Sequence, residues 1–194
     1  MWHKHLGRPH LIHIYRNPSG SLIGYTARFL VADGSMLKKV LPMSWVTEHD
    51  GGHWRWSEKG WNGTKPIYGI EKLATYPDRP VLITEGEKTC DASQRMFPEV
   101  VCLSWRGGAA SASRAQWEQL ANRTVAIWPD RDEAGLRAAE HISRILPNIE
   151  VITPPKWKPS GWELADAEEE AIPREKLLAY IASDAHSFFS CLPS

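Results

Sequence analysis

The region from residue 81 onwards alternates short apolar runs with helix-like segments, and this alternation constrains the fold more than any other feature. The apolar runs are rich in β-branched residues, as strands buried on both faces are. They lie at 81–84, 100–103, 124–128 and 150–153, and helical patterns follow at 88–96, 113–120, 133–146, 163–170 and 174–183. The pattern predicts an α/β fold in which helices flank a mostly parallel four-stranded sheet.

The preceding region has a different pattern. Extended runs at 11–16, 22–31 and 36–42 are joined by Gly-, Asn-, Asp- and Ser-containing turn sequences, which predict an antiparallel β meander. A Trp-rich segment follows, and the sequence Pro77-Asp78-Arg79-Pro80 is typical of a boundary. We therefore predict a small antiparallel β-rich subdomain at 1–79 and a second domain at 80–194.

Charge is divided between these regions. The 194 residues carry 23 basic and 23 acidic side chains, but residues 1–80 have 11 Lys/Arg against 6 Asp/Glu, and residues 81–194 have 12 against 17. The first region is therefore at +5 and the second at −5. A polyanion held by one part and carboxylates gathered by the other would give this division, as would uneven surface charge.

Several classes of protein are excluded by absent motifs. The three cysteines form no CxxC pair, which excludes a four-cysteine zinc module, and no GxxxxGK[ST] phosphate loop is present, which excludes an ATP-driven motor of that class. No apolar stretch approaches the length of a membrane span, so we expect a cytoplasmic protein without membrane partners.

Acidic residues follow two of the predicted strands. Glu85 comes directly after the first strand and precedes Gly86, and Asp130 and Asp132 follow the third. Because the carboxyl ends of parallel strands meet at one edge of a sheet, we expect these side chains to lie together and to hold Mg²⁺, or Mn²⁺ in its place. The alternative is that each acid caps a helix N-terminus.

These motifs resemble a known family. Glu85-Gly86 at a strand end, followed some 45 positions later by Asp130-x-Asp132-x-x-Gly135, is similar to the Toprim domain of primases, topoisomerases and certain nucleases, which has a Rossmann-like fold. Within that family the motifs are most similar to primases and primase-helicases of phages and mobile elements. Residues 161–166 also resemble the Gly-Trp-Asp-x-Ala-Asp of those proteins, with Glu163 in place of Asp.

The chain departs from the family pattern in two respects. Many primases have an Asp four residues after the motif Glu, where this chain has Thr89; Asp91 is nearby but out of register. The N-terminal zinc module of many primases has no counterpart here, since no cysteine precedes Cys90. Several histidines lie close together near the N-terminus, but their spacing matches no standard zinc site.

The resemblance implies primer synthesis, which is Mg²⁺-dependent nucleotidyl transfer from nucleoside triphosphates on a single-stranded DNA template. A replicative helicase, fused or in trans, would be a further partner. Glu85, Asp130 and Asp132 would be both catalytic and metal-binding, with Glu85 also proposed in the family as general base. Phosphate contacts are expected from three basic residues beside the same loops, namely Lys88, Arg106 and Arg131.

The basic N-terminal region would hold the template. We expect Arg28, Lys38 and Lys39 to contact DNA, because basic side chains track a single-strand backbone. Aromatic residues are interleaved with them, and most of the tryptophans are expected to pack in the core of this small meander. Two other functions remain open: a Toprim nuclease that cuts DNA, and a non-catalytic DNA-binding module of a replication complex.

Overall fold

The structure is a computed structural model that describes residues 1–30, 38–48, 51–56, 65–107, 109–183 and 188, with side chains omitted at 38, 46–48, 109–110 and 182–183. The chain divides into two compact units, Met1–Thr64 and Lys65–Ser194. This division lies fifteen residues before the boundary predicted from Pro77–Pro80. The reason is a short strand, β5 (Ile67–Tyr68), which pairs with a strand of the second unit.

The first unit is an antiparallel sheet of four strands in the order β1-β2-β3-β4. Its strands are β1 (Leu11–Arg16), β2 (Leu22–Leu30), β3 (Lys38–Glu48) and β4 (Gly51–Trp56). The predicted meander is confirmed in its first three strands. The fourth was not predicted, although Trp54 and Trp56 alternate with His53 and Arg55 as the two faces of a strand require.

The second unit is built on a five-stranded sheet in the order β5-β7-β6-β8-β9. Four strands run parallel: β6 (Val81–Glu85), β7 (Val101–Trp105), β8 (Val125–Trp128) and β9 (Glu150–Val151). The edge strand β5 runs antiparallel to β7. The predicted α/β fold class is confirmed, and β5 adds a fifth strand to the predicted four.

Helices cover both faces of this sheet. They are α1 (Lys72–Thr75), α2 (Glu87–Met96), α3 (Glu133–Ile145), α4 (Leu164–Glu169) and α5 (Arg174–Ser183). Alternate strand residues face opposite layers, so Ile83 packs with Ile142 of α3, whereas Leu82 packs in the cluster that contains Leu164 of α4 and Leu177 of α5. None of the helices that the structure describes is long and apolar enough to cross a membrane.

The predicted helix at 113–120 is wrong. Two 3₁₀ helices, Ala109–Arg114 and Trp117–Leu120, occupy this part of the chain. Helical periodicity fails here because Ala115 forms a backbone bridge with Lys65, which interrupts any continuous helix. The indole of Trp117, fully buried, then donates its N–H to the carbonyl of Ala112 at 2.7 Å and fixes the turn.

The turn between β8 and α3 is tightly built. Asp132 is the N-cap of α3, and its Oδ1 accepts a hydrogen bond from the N–H of Gly135 at 2.7 Å. A Cβ on Gly135 would lie 2.6 Å from the carbonyl oxygen of Asp130, which is far inside van der Waals contact. Glycine is therefore required so that α3 can begin directly against the backbone of Asp130.

We predict that Gly135→Ala destabilises the protein, although alanine is the better helix former. The added methyl must displace the Asp130 backbone, which we expect to lower the free energy of unfolding by about 1–3 kcal/mol. Urea denaturation measures this change. Leu136→Ala, at the half-exposed neighbouring position, is the control and should change stability much less; equal effects from both would contradict the close contact.

Candidate functional site

Glu85 lies at the centre of the carboxyl edge of the parallel sheet. It is the last residue of β6, the middle strand, and pairs in register with Trp105 at the end of β7. The next residue, Gly86, has a φ of +78°, which favours glycine, and a Cβ there would meet nothing within 4 Å. The backbone turn into α2 thus favours glycine at residue 86, and the space beside its Cα is open.

Asp130 lies two residues beyond the end of β8, the strand that pairs with β6 on the side away from β7. Burial is the first cause that raises its pKa, to about 8, and the negative charges of four nearby carboxylates add to it. In order of effect these carboxylates are Glu163, Glu85, Asp132 and Asp166. The structure therefore brings the three predicted acids into one electrostatic cluster, and it adds two acids from the chain around α4.

The two added acids form the start of α4. Glu163 and Asp166 make a capping box in which each side chain accepts from the other's backbone N–H. Glu163 also accepts a hydrogen bond at 2.5 Å from the hydroxyl of Thr89, which is 2% exposed. Thr89 therefore serves here as a hydrogen-bond donor to Glu163, which an ionised aspartate in its place could not do.

Sequence reasoning identified Glu163 only as part of a resemblance and assigned it no role. The signal was its place in Gly161-Trp162-Glu163, a turn in which Gly161 has a φ of +80° and the Trp162 side chain is buried. The backbone N–H of Arg131 donates to the carbonyl of Trp162 at 2.9 Å, and that of Gly161 to the carbonyl of Arg131 at 2.8 Å. These bonds tie the Glu163 turn to the loop that carries Asp130.

The acidic cluster has the donor chemistry of a hard-cation site. All of its groups are carboxylate oxygens, and the pKa of Asp130 is raised first by burial and then by a repulsion that a divalent cation would relieve. As placed within the described residues, no three His, Cys, Asp or Glu side chains form a ready metal-binding group. The helix-cap alternative is realised at Asp132, whose Oδ1 is engaged by Gly135.

Basic side chains lie near the end of β7, on the side of Glu85 away from the acidic cluster. Lys65 is only 7% exposed, and burial, followed by the positive charges of Arg106 and Arg114, lowers its pKa. Arg106 directly follows β7, and the N–H of Lys65 donates to the carbonyl of Arg114 at 2.9 Å. Three cations held this close favour an anionic ligand between them. Of the three, Arg106 is predicted from the sequence as a phosphate contact and Arg114 as an alternative anion contact, whereas Lys65 is not, because a single lysine in a loop carries no pattern.

The other two predicted phosphate contacts have partners of their own. Lys88, on α2, forms an ion pair with Glu169 at 2.6 Å and lies 4.0 Å from Glu163. The guanidinium of Arg131 donates to the carbonyl of Lys156 at 2.7 Å. Both side chains therefore lie beside the acidic cluster and help to hold the chain that surrounds it.

The three predicted DNA contacts of the first unit do not share one face. Arg28 pairs with Val40, and Phe29 pairs with Lys39. Since adjacent residues of a strand point to opposite faces, Arg28 and Lys39 lie on opposite sides of the sheet. Lys38 pairs through its backbone with Leu30, and its side chain lies outside the described residues.

Solved structures share this fold. The DnaG catalytic core matches with a TM-score of 0.61 at 16% identity, covering 91% of this chain and 53% of that one. The DnaG primase catalytic domain bound to single-stranded DNA matches at 0.55 and 17%, covering 89% and 51%. A chain of the bacteriophage T7 assembly, in which a lagging-strand DNA polymerase interacts with primase domains bound to an RNA/DNA hybrid and dTTP, matches at 0.54 and 18%, covering 88% and 75%.

At these identities the likeness establishes the fold alone, which is that of the DnaG catalytic core. The chain spans about half the length of the two DnaG structures. No curated protein matches it.

One family model covers more than half of the chain. It is described as "Domain of unknown function (DUF6371)" and matches residues 28–131, from β2 to the turn after β8. The match therefore includes both Glu85 and Asp130. The chain belongs to this family, DUF6371.

Proposed function

We propose that this protein is the catalytic part of a DNA primase, which joins nucleotides on a single-stranded DNA template. The observation that carries the proposal is the division of charge along one sheet edge. Carboxylates lie beyond β8, Glu85 ends the central strand β6, and the cations Lys65 and Arg106 lie beside the end of β7. A nucleoside triphosphate with its divalent cation has the complementary charges.

In this proposal the cationic side binds the triphosphate. Lys65, Arg106 and Arg114 supply the positive charge, and burial makes the Lys65 ammonium a stronger electrostatic partner than an exposed lysine. Lys88 and Arg131 remain proposed as outer phosphate contacts. Their existing partners mean that they would act mainly by holding the acidic loops in place.

The acidic side would hold the metal. Asp130 and Glu85 are the proposed first ligands, and Asp132 and Glu163 are the carboxylates nearest to support them. Mg²⁺, or Mn²⁺ in its place, would neutralise charge on the triphosphate when bound there. Glu85 is also proposed to accept the proton of the attacking 3′-hydroxyl, since it lies between the acidic and cationic groups.

The first unit is proposed to bind the template; Lys39 is the proposed phosphate contact on one face of its sheet and Arg28 on the other, and Lys38 remains a proposed contact. The DnaG domain that matches this chain is bound to single-stranded DNA, and the T7 neighbour contains primase domains, which supports this assignment by analogy. We further propose that the protein acts in a phage or mobile-element replication system alongside a helicase.

Glu85→Gln tests the catalytic assignment. We expect dinucleotide synthesis from labelled nucleoside triphosphates to fall by at least about 10³-fold, because the exchange keeps the shape of the side chain and removes its charge. Glu133→Gln is the matched control, since Glu133 is an acid of the same edge whose side chain is 85% exposed and pairs with Arg137. Undiminished synthesis by Glu85→Gln contradicts the proposed mechanism. Metal-dependent nicking of DNA by the wild type without any synthesis indicates the nuclease instead.

Lys65→Met tests the triphosphate site. We expect the KM for the incoming nucleotide to rise about 10- to 100-fold, as loss of a charged contact would cause. The free protein should become more stable, because a buried ammonium next to two arginines is removed. Lys72→Met is the control, since Lys72 contacts Gln94 in the same unit. An unchanged KM contradicts the assignment. Because nucleotide binding should weaken while the free protein becomes more stable, a rise in KM cannot be explained by unfolding.

Asp130→Asn tests the acidic cluster through stability. With its pKa raised to about 8, folded Asp130 keeps a proton that the unfolded chain releases near pH 4, so stability falls as pH rises between these values. Asp130→Asn has no titrating group at this position, so it does not lose stability in this way as pH rises. Without divalent cations it should therefore gain on the wild type between pH 5 and pH 8, by the order of 1 kcal/mol or more in thermal or urea unfolding. A constant difference across this range would show that the pKa of Asp130 is not raised.

A further inference from the structure

Three aromatic side chains on one face of the first unit are not part of its core. Trp45 is 53% exposed and Trp54 is 37% exposed, and Tyr25 contacts Trp54 with a centroid distance of 5.0 Å. By contrast, Tyr15 is fully buried and Trp56 packs edge-on against Phe29 at 5.6 Å. Exposed aromatic clusters of this kind on a folded domain mark interaction sites.

The exposed rings are held in place by their neighbours. Trp45 and Trp54 are directly paired across β3 and β4, and their rings meet edge to face at 5.5 Å. The indole of Trp45 also lies over Gly52, so closely that a Cβ there would be 2.2 Å from Nε1. One side of the Trp45 ring therefore rests on glycine backbone while more than half of the side chain faces solvent.

The charge around these rings favours an anionic partner. The first unit, residues 1–64, contains eight Lys/Arg and four Asp/Glu, which gives it a net charge of +4. Lys39 is exposed and lies on the same face of β3 as Trp45, whereas the exposed Arg55, next to Trp54 in β4, lies on the opposite face. A second copy of this unit would carry the same positive charge and would be repelled.

We propose that Tyr25, Trp45 and Trp54 form a stacking platform for unpaired bases of single-stranded DNA. Every base has a π face, so an ordered indole with one open side binds it without regard to sequence, while basic residues attract the phosphates. Ile14, which is 43% exposed and pairs with Tyr25, extends the apolar surface. The inference rests on the proposed function only in naming the strand as the primase template.

The test separates base contacts from phosphate contacts. Binding of the full chain is measured by fluorescence anisotropy with a labelled oligothymidylate of about twelve nucleotides and with an abasic strand of equal length, both in EDTA. Trp45→Ala and Trp54→Ala should each weaken binding to the oligothymidylate by about fivefold or more, and the salt dependence should not change. On the abasic strand the same variants should bind as well as the wild type.

Matched variants control for structural damage. Trp157→Ala removes a tryptophan that is 67% exposed on the second unit and should leave affinity unchanged. Trp45→Phe keeps a ring face and should bind with intermediate affinity, so it carries the test if Trp45→Ala fails to fold. Gly52→Ala removes no aromatic group but displaces the Trp45 ring, and it should weaken binding to the oligothymidylate alone.

The remaining outcomes overturn the platform. The first is unchanged affinity in the Trp45 and Trp54 variants, and the second is an equal loss of affinity on the oligothymidylate and the abasic strand. The third is that the wild type binds no DNA. The fourth is that the substitutions abolish self-association, measured by sedimentation, and not DNA binding. Because EDTA removes divalent cations, the assay does not depend on the acidic site. A failure of Glu85→Gln to stop synthesis would therefore leave this result intact, and the reverse also holds.

Discussion

The parallel pairing of β6 with both of its neighbours is the constraint on which the candidate site depends. Because β6 pairs with β7 through Glu85 and Trp105, and with β8 through Thr84 and Trp128, the loops that leave all three strands emerge at one edge. Glu85 is placed centrally, with Arg106 on one side and Asp130 on the other. A shift of one residue in either ladder would turn Glu85 to the opposite face and separate the charges.

Much of this edge could be predicted from the sequence, because the pattern of buried parallel strands is local. A run such as Val81-Leu82-Ile83 can be recognised as a buried strand without knowing which strand it pairs with, and the strand then sets the position of the acid that follows it. Lys65 could not be found in this way. It belongs to the site only because β5 returns to pair with β7 and the backbone at Ala115 meets it, and both contacts are long-range.

The same limit applies to the paired departures at Thr89 and Glu163. Each looks like a weakened motif when it is considered alone, but together they form a hydrogen bond between a buried hydroxyl and a carboxylate 74 residues away. The tryptophans of the first unit give a further case. Trp54 and Trp56 differ by two positions in one strand, but Trp56 is partly covered by Phe29 and by His3 of the N-terminal segment, whereas Trp54 is exposed.

The charged groups of the site are shifted in opposite directions in the free protein. Burial, followed by repulsion from nearby carboxylates, raises the pKa of Asp130, while burial beside Arg106 and Arg114 lowers the pKa of Lys65. The acidic side therefore carries less negative charge when no ligand is bound, because a pKa of about 8 leaves Asp130 protonated at lower pH, and this limits the cost of gathering carboxylates in a folded protein. A divalent cation at the carboxylates would stabilise the ionised form of Asp130, and an anion beside Lys65 would stabilise its ammonium. In the proposed function, a ligand that carries both a divalent cation and a polyphosphate would therefore match the charges on both sides of the edge.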